Sequence, residues 1–217
     1  MKYILTCYIP LCTSKYGRCA SEKFKISPYV DASCCREPDF ELDNPSITSL
    51  CHGDLVNRLE KCYTNEGGVI ITYLTKKGTY EKGERHYRLA ASLELIKICK
   101  DHDEAADWYK SKKSRLPYNC MITGNDFLPE EKTAKIYRKK AWPFAENYKE
   151  AIKRYKDKAK KKPLFVITKK IFCNLQNPPI ITDKQILKIF NRNIGLQGSP
   201  YIEEAEYKKL KAIIDAK

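Results

Sequence analysis

Between Tyr29 and Asp54 the chain reads YVDASCCREPDFELDNPSITSLCHGD, and this stretch holds its densest reactive chemistry. Five carboxylates between Tyr29 and Leu50 (Asp31, Glu37, Asp39, Glu41, Asp43) and the guanidinium of Arg36 share it with Cys34, Cys35, Cys51 and His52. Carboxylate oxygens suit a divalent ion such as magnesium, the basis of a metal-dependent enzyme acting on nucleic acid or nucleotides. Thiolates and imidazole suit zinc, which takes four such ligands in a tetrahedron. Adjacent cysteines point apart in extended chain, however, and neither pair has the usual ligand spacing, so no metal and no other cofactor is expected. A nuclease strand would want acid and lysine two apart; Glu94 and Lys97 are three apart and face opposite ways. Phosphate-loop, GxSxG and HExxH patterns are missing. The balance therefore leans away from an enzyme.

The second chemical feature is charge. The 217 residues carry 41 Lys+Arg against 27 Asp+Glu, a formal net of +14. Fifteen of these bases and only three acids fall between Lys132 and Lys170. Clustered lysines neutralise phosphates without reading sequence, so the excess points to a polyanionic partner, DNA or RNA. Within this segment Phe144, Tyr148, Ala151, Ile152, Tyr155 and Ala159 recur at helical spacing from Pro143 to the lysines before Pro163. Lys149, Lys153, Lys156 and Lys160 lie beside that apolar stripe as a phosphate-tracking row.

Several elements must position these groups. Lys2 to Ile9 reads as a first strand closed by Pro10, and the next twenty residues carry few signals. The acidic stretch has neither helical nor strand periodicity and reads as an ordered polar loop, because Tyr29, Phe40, Ile47 and Leu50 weigh against disorder. A short helix is expected over Asp54 to Tyr63. Val69 to Thr75, nearly all β-branched or aromatic, predicts a central strand. His86 to Cys99 returns as its partner, with Tyr87, Leu89, Ala91, Leu93 and Leu95 on one face. Asp101 followed by Glu104 marks a helix start. Leu116 to Asn125 is a second polar turn, and Leu164 to Thr168 a further strand. Thr182 or Asp183 caps a helix to Asn191, and Ser199-Pro200 opens a last one with an apolar stripe from Ile202 to Ile214. A helix-turn-helix at this end would want a connection shorter than Arg192 to Ser199, so packing on the sheet is the simpler reading.

Three quoted stretches carry a resemblance: SCCREPD, GVIITYLT from Gly68, and the basic return strand RHYRLAASLELIKI. They resemble the PUA-like superfamily, among them EVE, ASCH and YTH domains and the nucleotide-modification-associated domains. The resemblance covers residues 1 to 125 and the strand at Leu164. It implies a small β-barrel with flanking helices that holds a nucleobase, often a modified one, beside the barrel. The aromatic types that would stack on a flipped base are Tyr73, Trp108 and Tyr109. Asp31, Ser33, Arg36, Asn119 and Asn125 would supply donors and acceptors for the base edge. The glycine-aspartate pair that often precedes the central strand of these families is Gly67-Gly68 here.

The expected molecule is one α+β domain over 1–217. A small mixed PUA-like barrel occupies 1–125; a basic helix, one more strand and a helical C-terminal annex follow in 126–217. Ten irregularly spaced cysteines, several at buried positions, indicate free thiols in a reducing compartment. The opening MKYILTCYIPLC imitates a signal peptide, but Pro10 and the segment Ser14 to Arg18 interrupt it before any cleavage site. No run approaches the roughly 18 apolar residues of a spanning helix. A cytoplasmic, non-membrane, nucleic-acid-binding module is the resulting expectation.

Overall fold

The computed structural model describes residues 1–33, 35–63, 68–80, 83–125, 148–196 and 198–215. Seven strands form one mixed sheet that curls into a partial barrel, and six α-helices surround it among the described residues. The strands are β1 (Lys2–Tyr8), β2 (Ser46–Thr48), β3 (Val69–Thr75), β4 (Tyr87–Cys99), β5 (Phe165–Cys173), β6 (Ile180–Ile181) and β7 (Tyr201–Ile202). Their order is β2-β5-β4-β3-β1-β7, with β6 paired to the start of β4. Only β1 and β3 run parallel. A parallel pair needs a long crossover; α1 (Lys15–Phe24), the polar loop, β2 and α2 (Gly53–Cys62) supply it.

The sheet is buried on both faces, which is why β3 reads as a continuous apolar run and is buried along its whole length. On one face Ile4, Tyr8, Val69, Ile71, Tyr73 and Leu93 pack against α2, the loop residue Phe40 and Ile47 of β2. On the other, Leu5, Ile70, Leu74 and Leu89 meet α5 (Asp183–Phe190) and α6 (Glu204–Asp215). The C-terminal helices thus spend their apolar stripes on the sheet. A third cluster seats α3 (His102–Ser111) on Cys99, Phe165 and Ile167. A fourth seats α4 (Tyr148–Lys161) on Cys35, Leu50 and Met121 through Ile152, Tyr155 and Ala159.

Four expectations need correction. The strand β4 does not keep one face: Tyr73 pairs with Ala91 but Leu74 with Leu89, leaving Ala90 as an extra residue. One inserted residue reverses the alternation, so Tyr87 and Leu89 pack with α5 and α6 while Ala91, Leu93 and Leu95 face α2. The quiet stretch after Pro10 contains α1, capped by Ser14, whose hydroxyl accepts from Gly17 N at 3.0 Å. Only Gly17 and Ala20 of that helix are buried, so no apolar stripe announces it. The last helix starts at Glu204, because Tyr201 and Ile202 first pair with the open edge of β1. Finally, the sheet is not confined to 1–125: β5 lies between β2 and β4 and extends to Cys173. Residues 142–147 of the expected basic helix lie outside the described residues.

Candidate functional site

The polar loop is ordered by its own side chains. Ala32 N donates to Ile9 O at 2.9 Å and Leu11 N to Val30 O at 2.8 Å, tying the loop to the end of β1. The Asp31 carboxylate then accepts from the backbone and hydroxyl of Ser33 and from Glu37 N at 3.3 Å. Arg36, in the left-handed region at φ 47°, turns its guanidinium inward to donate to the Asp31 carbonyl. The chain turns back so that Glu37 accepts from Thr48 N at 2.5 Å and from Thr48 Oγ1 at 2.6 Å. Three sequence-predicted residues, Asp31, Ser33 and Arg36, are therefore brought together, and Glu37 joins them.

Two thiols meet at the same place. Cys35 Sγ is 3.6 Å from Cys51 Sγ and 3.4 Å from Ser33 Oγ. The ligand-type atoms of Cys35, Glu37 and Cys51 all lie within 4.8 Å of one another. His52 Nε2 is 3.4 Å from the Glu37 carbonyl. Cys34 lies outside the described residues. Cys35 and Cys51 meet without the usual ligand spacing because β2 and the following turn, rather than a short local loop, bring them together.

Burial sets the electrostatics of this cluster. It pushes the Asp31 carboxyl up to about 6, against the hydrogen bonds from Ser33. It raises Glu37 well above the usual carboxylate range, with Cys35 adding to the effect. It depresses His52 and Arg36. The Cys51 thiol is raised first by its hydrogen bond with Cys35. Tyr73 is fully buried and pushed far up, by burial and then by Glu37 and Asp31; its hydroxyl has no partner among the described residues.

The remaining acids do not converge for a hard cation. Asp39 is buried and held by Arg115 at 2.7 and 3.0 Å, while Glu41 and Asp43 are exposed. Among the described residues, Cys35, Glu37 and Cys51 are the only group of three potential ligands this close.

The expected stacking residues are dispersed. The Tyr73 ring sits edge-on to Phe40 at 5.2 Å and Tyr8 at 6.3 Å inside the core. Tyr109 is fully buried and donates to Asn44 O at 2.6 Å, whereas Trp108 is half-buried on α3 beside Lys112. Asn119 is stitched to β2, accepting from Ser46 Oγ at 2.6 Å. Asn125 holds its own turn by donating to Pro117 O and Cys120 O.

That turn forms one wall of a cavity of about 490 Å³ between α3 and α4. Lys156 and Lys160 of α4, two of the predicted phosphate residues, line it opposite Asp101, His102 and Asp103. Lys153 is exposed on the same helix, and the Lys149 side chain lies outside the described residues. The helix is fixed to the polar loop by Lys158, which donates to Leu50 O, and by Ser49, which donates to Lys162 O at 2.7 Å. His102 was not visible as a site residue in sequence, since nothing local marks it beyond the neighbouring cap Asp101. Its Nδ1 accepts from Met121 N at 3.0 Å, and its Nε2 has no partner among the described residues. Burial holds this imidazole down to about 4, so it is neutral with the proton on Nε2.

In comparisons with known proteins, no family model, no curated protein and no solved structure matches this chain.

Proposed function

We propose that the chain is a nucleic-acid-binding module of PUA-like type, with no catalytic step of its own. The observation that carries this reading is the cavity between α3 and α4, in which two lysines face two carboxylates and a neutral histidine. Its volume falls in the range of small-ligand sites, on the order of 300–1,000 Å³. Lys156, Lys160 and the exposed Lys153 neutralise phosphates. Asp103, exposed at the cavity, offers an acceptor of the kind a base edge requires, and Thr123 adds a hydroxyl that can donate or accept. The long-range attraction of the +14 chain brings the polyanion to this face. Asn119 and Asn125 act by shaping the turn that walls the cavity, and Trp108 is the half-buried aromatic nearest to solvent on α3.

The test is binding of short single- and double-stranded DNA and RNA, with and without modified bases, across a salt series. The K156A/K160A double variant should weaken every nucleic acid and reduce the salt slope by roughly 1–2. D103N should alter preference between bases while leaving the salt slope unchanged. Absence of binding at low salt, or a K156A/K160A variant that binds like the parent, would overturn the proposal.

A further inference from the structure

We infer that Cys35, Glu37 and Cys51 form a binding site for a soft divalent metal, zinc being the chemical match, at the junction of the polar loop, β2 and α2. Two thiolates on one tetrahedral zinc, each at about 2.3 Å, sit about 3.8 Å apart. Cys35 Sγ and Cys51 Sγ are 3.6 Å apart, and a Glu37 oxygen completes the group within 4.8 Å. Two sulfurs and one oxygen select zinc over magnesium or calcium, which prefer oxygen alone.

The surroundings match what a metal's outer shell supplies. Thr48 N and Thr48 Oγ1 donate to the two oxygens of Glu37 and fix the carboxylate's direction. Ser33 Oγ lies 3.4 Å from Cys35 Sγ, with its one proton donated to Asp31. Cys35 and Glu37 are buried while Cys51 is exposed, so the ion enters from the Cys51 side. Three protein donors leave a fourth position for water or another ligand, and His52 follows Cys51 directly. Binding converts two thiols to thiolates, with release of their protons to solvent.

The same residues have a structural job: Cys35 packs with Leu50 and with Ala159 of α4. A metal there would pin Cys35 and Glu37 of the loop to Cys51 in the turn between β2 and α2. This inference does not depend on nucleic-acid binding.

The experiment uses the full chain, reduced and stripped with a chelator, then titrated with Zn²⁺ or Co²⁺ alone. One ion per chain is expected, with an intense thiolate-to-cobalt charge-transfer band. C51S, at an exposed position, should cut that band by half or more and weaken Zn²⁺ binding more than about tenfold, whereas E37Q should weaken binding to a similar extent while the band persists at saturating Co²⁺. On the unsubstituted chain, Zn²⁺ should slow alkylation of Cys51 but not of Cys19, which is also exposed; this readout does not depend on any variant folding. Failure of the reduced chain to take up either ion, or C51S binding like the parent, would overturn the site. So would a Cys35–Cys51 disulfide that forms readily in a chain unable to bind metal.

Discussion

Buried polar groups in this protein differ in how fully they are satisfied, and that difference sets measurable behaviour. His102 is 5 % exposed, accepts one hydrogen bond and is held near pKa 4 by burial, against 6.5 for a free imidazole. Because its folded pKa is depressed, the unfolded chain binds the extra proton first, so its contribution is fully present above about pH 6.5. It is lost as pH falls towards 4, by up to about 3 kcal/mol. Urea denaturation between pH 7 and 4 should show this slope, and H102N, whose amide oxygen can replace Nδ1, should flatten it. The Tyr73 hydroxyl is buried with no partner among the described residues. Y73F removes that desolvation cost and should leave stability unchanged or raise it by about 1 kcal/mol, measured by the same denaturation. Asp39 is the opposite case: fully buried and paired with the partly exposed Arg115. R115A strands a buried carboxylate and should cost about 2 kcal/mol, less than a fully buried pair because Arg115 keeps contact with water.

At the scale of elements, local signals succeeded where side-chain chemistry is self-contained. Thr182 and Gln185 form a reciprocal capping box at the start of α5, and Asn191 ends it in the left-handed region, as the short periodic run between them implied. Asp101 caps α3 by accepting from Glu104 N at 2.8 Å, while the Glu104 carboxylate accepts from Lys100 N at 2.9 Å. The helix α1 is different, since its place is fixed by close approach to the preceding turn. A Cβ on Gly17 would fall 1.6 Å from the Leu11 carbonyl oxygen. G17A should therefore destabilise by at least about 2 kcal/mol despite alanine's better helix propensity, visible as a lowered midpoint in thermal or urea unfolding.

Across the whole molecule, the two halves share one sheet. β5, from beyond residue 164, lies between β4 and β2, and β7 covers the outer edge of β1. A fragment ending at residue 125 loses both, together with α5 and α6, whose residues cover Leu5, Ile70 and Leu74. The fragment 1–125 should fail to fold cooperatively, whereas the full chain should unfold in one transition; circular dichroism during denaturation distinguishes the outcomes. No described helix is long and apolar enough to cross a membrane.

The sequence by itself determined the strands β1, β3 and β4, the helices α2, α3 and α5, and the excess of positive charge, because each depends on periodicity, capping or composition within a short window. It also marked the stretch from Tyr29 to Leu50 as chemically dense, but not that Ser46–Thr48 within it form β2. Only the tertiary structure decided which of those groups act together. The extra residue Ala90 changed the face of β4, the free edge of β1 captured Tyr201 and Ile202, and burial turned Tyr73 and Tyr109 into core residues. Cys35 reached Cys51, and Lys156 reached the mouth of a cavity beside His102, through contacts between segments far apart in the chain. Such meetings are set by which surfaces must be buried against one another, a property of the folded whole that no local pattern of residues encodes.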